Sequence, residues 1–281
     1  VKNRRFEIFK EELKNDKWAI FAFVLLIIMI LASLLAPLLP HDPNEVNISL
    51  MKDTPSLTHW FGTDELGRDY FTRVLYGGRV SLMVGILAMM TSVIIGTLIG
   101  TVSGYWGGAV ENILMRFVDV LSAIPWMILV TIISIFIQGG IWAIIIVIGG
   151  FSWMGAARLV RAETLSLKQR EYVLYASASG ERNYRIIRKH ILPGIYPTIV
   201  VTATIFIPHA IIIESTLSFL GLGVKAPTSS WGSMLKNAQG FLMDVPHLAI
   251  IPGLMILIIV YCFNKLGDVL RAVVEPKTMG A

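Results

Sequence analysis

Charged positions divide this chain into long apolar blocks. No Asp, Glu, Lys or Arg occurs from Trp18 to Leu39, from Val80 to Val110, from Val120 to Ala157 or from His247 to Asn264. A helix crosses the ~30 Å hydrocarbon core of a bilayer with roughly 20 mostly apolar residues, so each block has spanning length or comes close to it. The pattern predicts six helical spans: Trp18–Leu39 ended by Pro40, Val80–Ser103, Ile113–Ile137, Ile141–Ala157, Pro197–Leu220 and His247–Leu266. The third and fourth share one uncharged stretch that would overshoot the bilayer as a single helix. Gln138-Gly139-Gly140 supplies the turn between them. Pro125 and Pro208 are expected to kink their helices. The chain thus divides into an N-terminal segment (1–17), a first span (18–39), a long loop (40–79), a five-helix core (80–266) containing a second long loop (158–196), and a tail (267–281).

Composition agrees with a membrane protein. The 281 residues are 55% hydrophobic and 15% charged, against ~45–50% and ~25% in soluble domains. The first charged stretch mixes acids with bases, and the run after it is too long for a cleaved signal, so Trp18–Leu39 reads as a retained span. The formal net charge of +5 does not point to nucleic acid, because the bases lie in loops and form no stripe with interleaved aromatics. Lys2, Arg4, Arg5, Lys10, Lys14 and Lys17 precede the first span. Arg158, Arg161, Lys168, Arg170, Arg182, Arg185, Arg188 and Lys189 fill the loop after the fourth, and Lys265, Arg271 and Lys277 follow the sixth. With six spans these segments share one side, which the positive-inside rule makes cytoplasmic. Both termini are then expected in the cytoplasm, and the acid-rich loop carrying Asp42, Glu45, Asp53, Asp64, Glu65 and Asp69 outside.

The basic loop after the fourth span reads as ordered helix. Ser166 and Gln169 match a capping box, and a helix from there runs to Ser179. Gly180 can end it in the left-handed conformation. Asn183 can cap a second short helix, halted by Pro193. The expected unit is a cytoplasmic helix–turn–helix, thin at Ala176, Ser177, Ala178 and Ser179, where another surface can approach closely.

The segment E-Y-V-L-Y-A-S-A-S-G-E-R-N-Y-R-I-I-R-K-H-I-L-P, Glu171–Pro193, resembles the coupling loop of importer permeases of the ATP-binding-cassette class. That family's pattern is E-A-A, three residues, Gly, about nine residues, then I-x-L-P. Ala176, Gly180, Leu192 and Pro193 match it; Leu174, Tyr175 and His190 depart from it. F-G-T-D-E-L-G-R-D at Phe61–Asp69, E-S-T-L-S-F-L-G-L-G at Glu214–Gly223, A-P-T-S-S-W-G at Ala226–Gly232 and G-D-V-L-R at Gly267–Arg271 are similar to the second permease of the oligopeptide, dipeptide and nickel uptake branch.

The resemblance implies an all-α integral membrane protein with the type I importer permease fold, six spans and a cytoplasmic coupling loop. It also implies a bacterial inner-membrane location. Glu171, Tyr172, Tyr175, Ala176, Ser177, Ala178, Gly180, Leu192 and Pro193 would dock in a groove of an ATPase subunit. The implied partners are a homologous second permease, two ATP-binding-cassette ATPases, an extracytoplasmic substrate-binding protein and the lipid bilayer. Peptides are the expected solute, with nickel or a metallophore as the alternative; a secondary carrier working without ATP would leave the coupling loop unexplained.

No G-x-x-x-x-G-K-[ST] phosphate loop occurs, nor any Gly-Lys pair, so ATP and magnesium are expected on partner subunits and no cofactor on this chain. No Ser-His-Asp or H-E-x-x-H arrangement appears. The five histidines are too scattered for a metal cluster. The lone Cys262 is expected to be a packing residue.

Glu214 lies toward the outer end of the fifth span, soon after His209. An acid in mid-membrane costs ~2.5–3.5 kcal/mol on insertion scales and tends to face a wet cavity or the protein interior. Glu214 and His209 are therefore candidates for the translocation path, the alternative for Glu214 being an interfacial acid that reaches water. Asp64, Glu65 and Asp69 are candidates to contact a binding protein, or else form a turn and helix cap. Arg116 and Asp119, three apart, are expected to pair on one helix face.

Overall fold

The computed structural model describes residues 2–137 and 140–274, and every regular element among them is helical. A short helix α1 (Lys2–Asn15) leads into α2 (Lys17–Leu35), capped by Asp16, whose carboxylate accepts the Trp18 and Ala19 amides and pairs with Lys265 at 2.6 Å. On α2, Phe21, Val24, Ile28, Leu31 and Leu35 are exposed, while Ala19, Ala22, Leu26 and Met29 face the bundle. Apolar residues on both faces suit a helix with lipid on one side and protein on the other.

The helix of the second span begins ten residues before the expected Val80. α3 covers Tyr70–Trp106, its start fixed by Asp69, which accepts the Thr72 amide at 2.8 Å. The third span is broken. α4 (Gly108–Ala123) and α5 (Trp126–Phe136) meet at 85°. Pro125 offers no N–H and forces its predecessor out of helix, and Ile124 is extended (φ −78°, ψ 128°). Of the expected turn Gln138-Gly139-Gly140, the first two residues lie outside the described residues; Gly140, at φ 97°, leads into α6 (Ile141–Phe151). After a break at Ser152, α7 (Trp153–Lys168) continues past the expected end at Ala157.

Ser166 is therefore inside α7 and caps nothing. The chain turns at Gln169 and Arg170 into α8 (Glu171–Ala178), then α9 (Asn183–Ile186), a π-helical turn (Ile187–Ile191) and α10 (Leu192–Phe219). Pro193 does not halt the second short helix. Residues Asn183–Phe219 form one 37-residue rod. The wide π turn immediately before Pro193 makes room at the i−4 carbonyl, where a proline ring would otherwise clash. α11 (Trp231–Ala238) and α12 (His247–Val274) complete the chain. Lys277 lies outside the described residues. Five helices are long and apolar enough to cross a membrane, and six if α4–α5 counts as one bent span.

Lipid tails are as apolar as a protein core, so burial alone cannot hold these helices together; close packing and hydrogen bonds must. The most extensive helix pairing joins α3 to α7. A Cβ on Gly96, Gly100 or Gly104 would lie 2.6 Å from Ala156 Cβ, 2.5 Å from the Ala157 carbonyl oxygen and 2.8 Å from the Arg161 carbonyl oxygen. At i, i+4 and i+8 these glycines form one stripe against the α7 backbone. α4 joins α7 through charge. Asp119 accepts from Arg158 at 2.9 Å rather than pairing with Arg116, and Glu111 binds Arg161.

Candidate functional site

Two features stand out: a helical hairpin at the basic end of the bundle, and a cleft in the bundle wall. In the hairpin, Gly180 takes φ 75°. Its N–H donates to the Ser177 carbonyl at 3.1 Å and that of Glu181 to the Ala176 carbonyl at 3.1 Å. This pair of bonds closes α8 and reverses the chain. Val173 and Ala176 point inward, joining Ile186, Ile191 and Ile195 in an apolar cluster with Val160 and Leu167 of α7 and Tyr105 of α3. Asn183 caps nothing; its side-chain carbonyl accepts the Tyr105 hydroxyl at 3.1 Å, and Lys168 donates to the Tyr105 carbonyl at 2.7 Å. The hairpin is thereby fixed to the ends of α3 and α7.

Its outer surface is exposed. Tyr172, Leu174, Tyr175 and Tyr184 show large areas, and Ser177, Ala178 and Ser179 lie open beside them. Ala176, expected on the approachable side, is buried against the chain itself. Glu171, Tyr172, Tyr175, Ser179, Glu181, Lys189 and His190 line a shallow groove. Glu181 is held within 4 Å of Arg185, Lys189 and His190. Leu192 and Pro193, expected within the coupling loop, are exposed at the start of α10.

The cleft encloses about 640 Å³ between α7 and α10, with α5 and α12 at its margins. α10 contributes Thr198, Thr202, Ile205, Phe206 and His209, a stripe at helical spacing, and α7 contributes Met154, Gly155, Ala156 and Leu159. Arg271 and Val274 lie at its basic end. His209 is exposed there, its ring edge-on to Phe206 at 6.2 Å.

Glu214 is not in the cleft. Five residues beyond His209, it points about 140° around the helix and is fully enclosed. Ser81 of α3 donates to it at 3.1 Å and Ser218 at 2.7 Å, with Ser215 at 3.5 Å and Ser230 adding further hydroxyls. Ser230 also caps α11. The carboxylate is thus a clasp joining α10, α3 and α11. Nothing marked it in advance except the serines at positions 215, 218 and 230, whose convergence is a tertiary fact.

In the loop of residues 40–69, Asp42, Glu45 and Asp53 are exposed, whereas Asp64 and Asp69, two of the three acids considered for a partner contact, are buried and take the alternative role of turn and helix cap. Asp64 is 1% exposed. It accepts from Arg68 Nε at 2.7 Å, Arg73 Nε at 3.1 Å and the amides of Leu66 and Arg68 at 2.9 and 3.0 Å. Asp69, besides capping α3, meets His59 Nδ1 at 2.9 Å. Burial raises the Asp69 pKa, but the bonds from Thr72 and His59 outweigh it and leave the carboxyl below the usual range. Of Asp64, Glu65 and Asp69, Glu65 alone keeps a partly open edge, shared with Arg68 and Asn237. A buried acid between two arginines locks a turn; it cannot also reach out to another protein.

This arrangement is that of a multi-pass helical membrane subunit with a helical hairpin exposed at its basic end. Residues 96–280 match the family of binding-protein-dependent transport system inner membrane components, and residues 6–55 match the N-terminal membrane domain of oligopeptide transport permease C. The chain belongs to the first of these families. It is 39% identical to a dipeptide transport system permease of Bacillus subtilis, over 94% of this chain and 83% of that one. It is 37% identical to that organism's oligopeptide transport system permease, over 94% and 87%. It is 41% identical to a glutathione transport system permease of Pectobacterium atrosepticum, over 91% and 85%. The fold is similar to a chain of the inward-facing MetNI methionine ABC transporter, with TM-score 0.54 and 20% identity, over 72% of this chain and 96% of that one.

Proposed function

We propose that this chain is one of two membrane-spanning subunits of an ATP-driven importer of peptides in a bacterial inner membrane, with its basic end in the cytoplasm. One observation carries the reading. The two walls of the cleft are the two arms of the exposed hairpin. α7 runs directly into α8, and α9 continues as one rod through the π turn into α10. A push on the hairpin must therefore move both walls of the cleft.

The matching subunit would close the cleft from the other side. Two ATPases would grip this hairpin and its counterpart, and ATP and magnesium would bind there. A binding protein would deliver solute from outside. Alternating access then needs no bond chemistry here: closure of the ATPases tilts the arms, and the cleft changes the side on which it opens. Peptide as the solute rests on the dipeptide, oligopeptide and glutathione permeases among the relatives; nothing in their names favours nickel.

The test is made in the assembled importer. Ala178→Trp places bulk on the exposed face of α8, and Gly180→Val strains the left-handed turn, where no neighbouring atom lies within 4 Å. Both variants should insert normally and should lose uptake that ATP hydrolysis drives. Full uptake in both, or failure of an ATPase to copurify with the wild type, overturns the reading.

A further inference from the structure

Two of the fifteen residues lining the cleft are basic, His209 and Arg271, and none is acidic. Their positions differ. Arg271 sits at the basic end of α12. His209 sits eleven residues above Thr198 on α10, about 16 Å further along the helix axis at 1.5 Å per residue, and so deep in the spanning region. Most of the lining is apolar: Trp126, Phe151, Val201, Ile205 and Phe206 surround it. An exposed imidazole at that depth is costly unless a polar group meets it. Among the described residues His209 has a ring contact with Phe206 and no hydrogen-bond partner. Between the two bases stand hydroxyls. Thr198 and Thr202 lie one turn apart on α10. Ser152, at the break between α6 and α7, lines the same cleft, and its Oγ is buried with no hydrogen-bond partner. Thr202 Oγ1 donates within the helix to the Thr198 carbonyl at 2.8 Å and Ser152 Oγ is covered, so His209 and Arg271 are the polar groups the cleft offers to an anion, in a wall that is apolar overall.

We propose that His209 is a specificity-determining residue that receives an anionic group of the passing solute, a carboxylate, deep in the cleft. The proposal rests on the assignment of the cleft to a peptide path. His209 supplies the first contact and Arg271 the exit toward the basic end. Each contact is single and none encloses the carboxylate, which suits a site the solute must leave again. The apolar residues alongside accept side chains without selecting among them.

The experiment uses the complete importer, copurified with its partner subunits and reconstituted in liposomes. One dipeptide is supplied as the free acid and as its C-terminal amide, each preloaded on the binding protein at equal concentration. For each variant the acid-to-amide uptake ratio is divided by the wild-type ratio, so that selection by the binding protein cancels. His209→Leu should lower this ratio about tenfold, the effect of one hydrogen bond to a charged group. His209→Gln, which keeps a donor, should restore most of it. ATP hydrolysis stimulated by the loaded binding protein, measured alongside, should stay within about twofold of wild type and reports that the variants are folded. A ratio unchanged in His209→Leu overturns the inference and leaves the peptide-importer reading intact. Absence of peptide uptake by the wild-type complex overturns that reading and this inference with it.

Discussion

Glu214 shows how far a residue's meaning depends on what surrounds it. As a letter in an apolar span it suggests a pathway acid; in the folded chain it is shut in by hydroxyls from three helices. Removing it strands those donors, and an unsatisfied buried polar group costs about 1–3 kcal/mol. Glu214→Leu should lower the thermal unfolding midpoint in detergent, and Glu214→Gln, which keeps one acceptor, should lower it less. Equal midpoints for Glu214→Leu and wild type would contradict the clasp. Asp64 carries a larger consequence. Its loss leaves Arg68 and Arg73, 5% and 3% exposed, as buried charges short of their partner, a change that typically costs ~3–5 kcal/mol. Asp64→Ala should fail to accumulate in membranes, whereas Glu65→Ala, at the open edge, should accumulate normally; immunoblots of membrane fractions distinguish them.

Among the elements, what was legible in the sequence followed the range of the interaction that decides it. The apolar blocks located the spans because hydration acts on each residue separately. Gly180 was readable because a left-handed turn is a local need. The misreadings came from local signals overruled by neighbours. Ser166 looks like a cap, yet α7 simply continues, since Thr164 and Leu167 are buried and hold that turn in place. Pro193 looks like a stop, yet a π turn absorbs it. Charge alone starts α3 at the first uncharged residue, Val80, although Asp69 is the cap and Arg73 is neutralised inside the protein. The stripe Gly96, Gly100, Gly104 shows in the sequence only as small residues four apart. Its importance lies in the opposing backbone of α7, where a side chain has no room to retreat. Gly100→Leu should destabilise the bundle by ~1–3 kcal/mol or more, read as a lower unfolding midpoint; Gly150→Leu, where a Cβ meets nothing within 4 Å, serves as the control and should leave it unchanged.

At the level of the whole molecule, hairpin and cleft are one mechanical object. Joining the arms should stop transport as surely as removing the hairpin. With cysteines placed by Leu159→Cys and Thr202→Cys, one on each wall, a cleavable bifunctional reagent should abolish uptake, and cleavage should restore it; unimpeded uptake by the cross-linked protein would show that the walls need not move. The chain's only native cysteine, Cys262, is buried and should stay silent. The glycine stripe of α3 carries a further consequence, for biogenesis. Its partner surface is made roughly sixty residues later, so a ribosome-bound chain that has released α3 but not yet α7 shows the quality-control machinery a bare, sticky backbone. Nascent chains arrested before Gly155 should be short-lived in the cell, and those arrested far enough beyond Lys168 for α7 to have left the ribosome should persist.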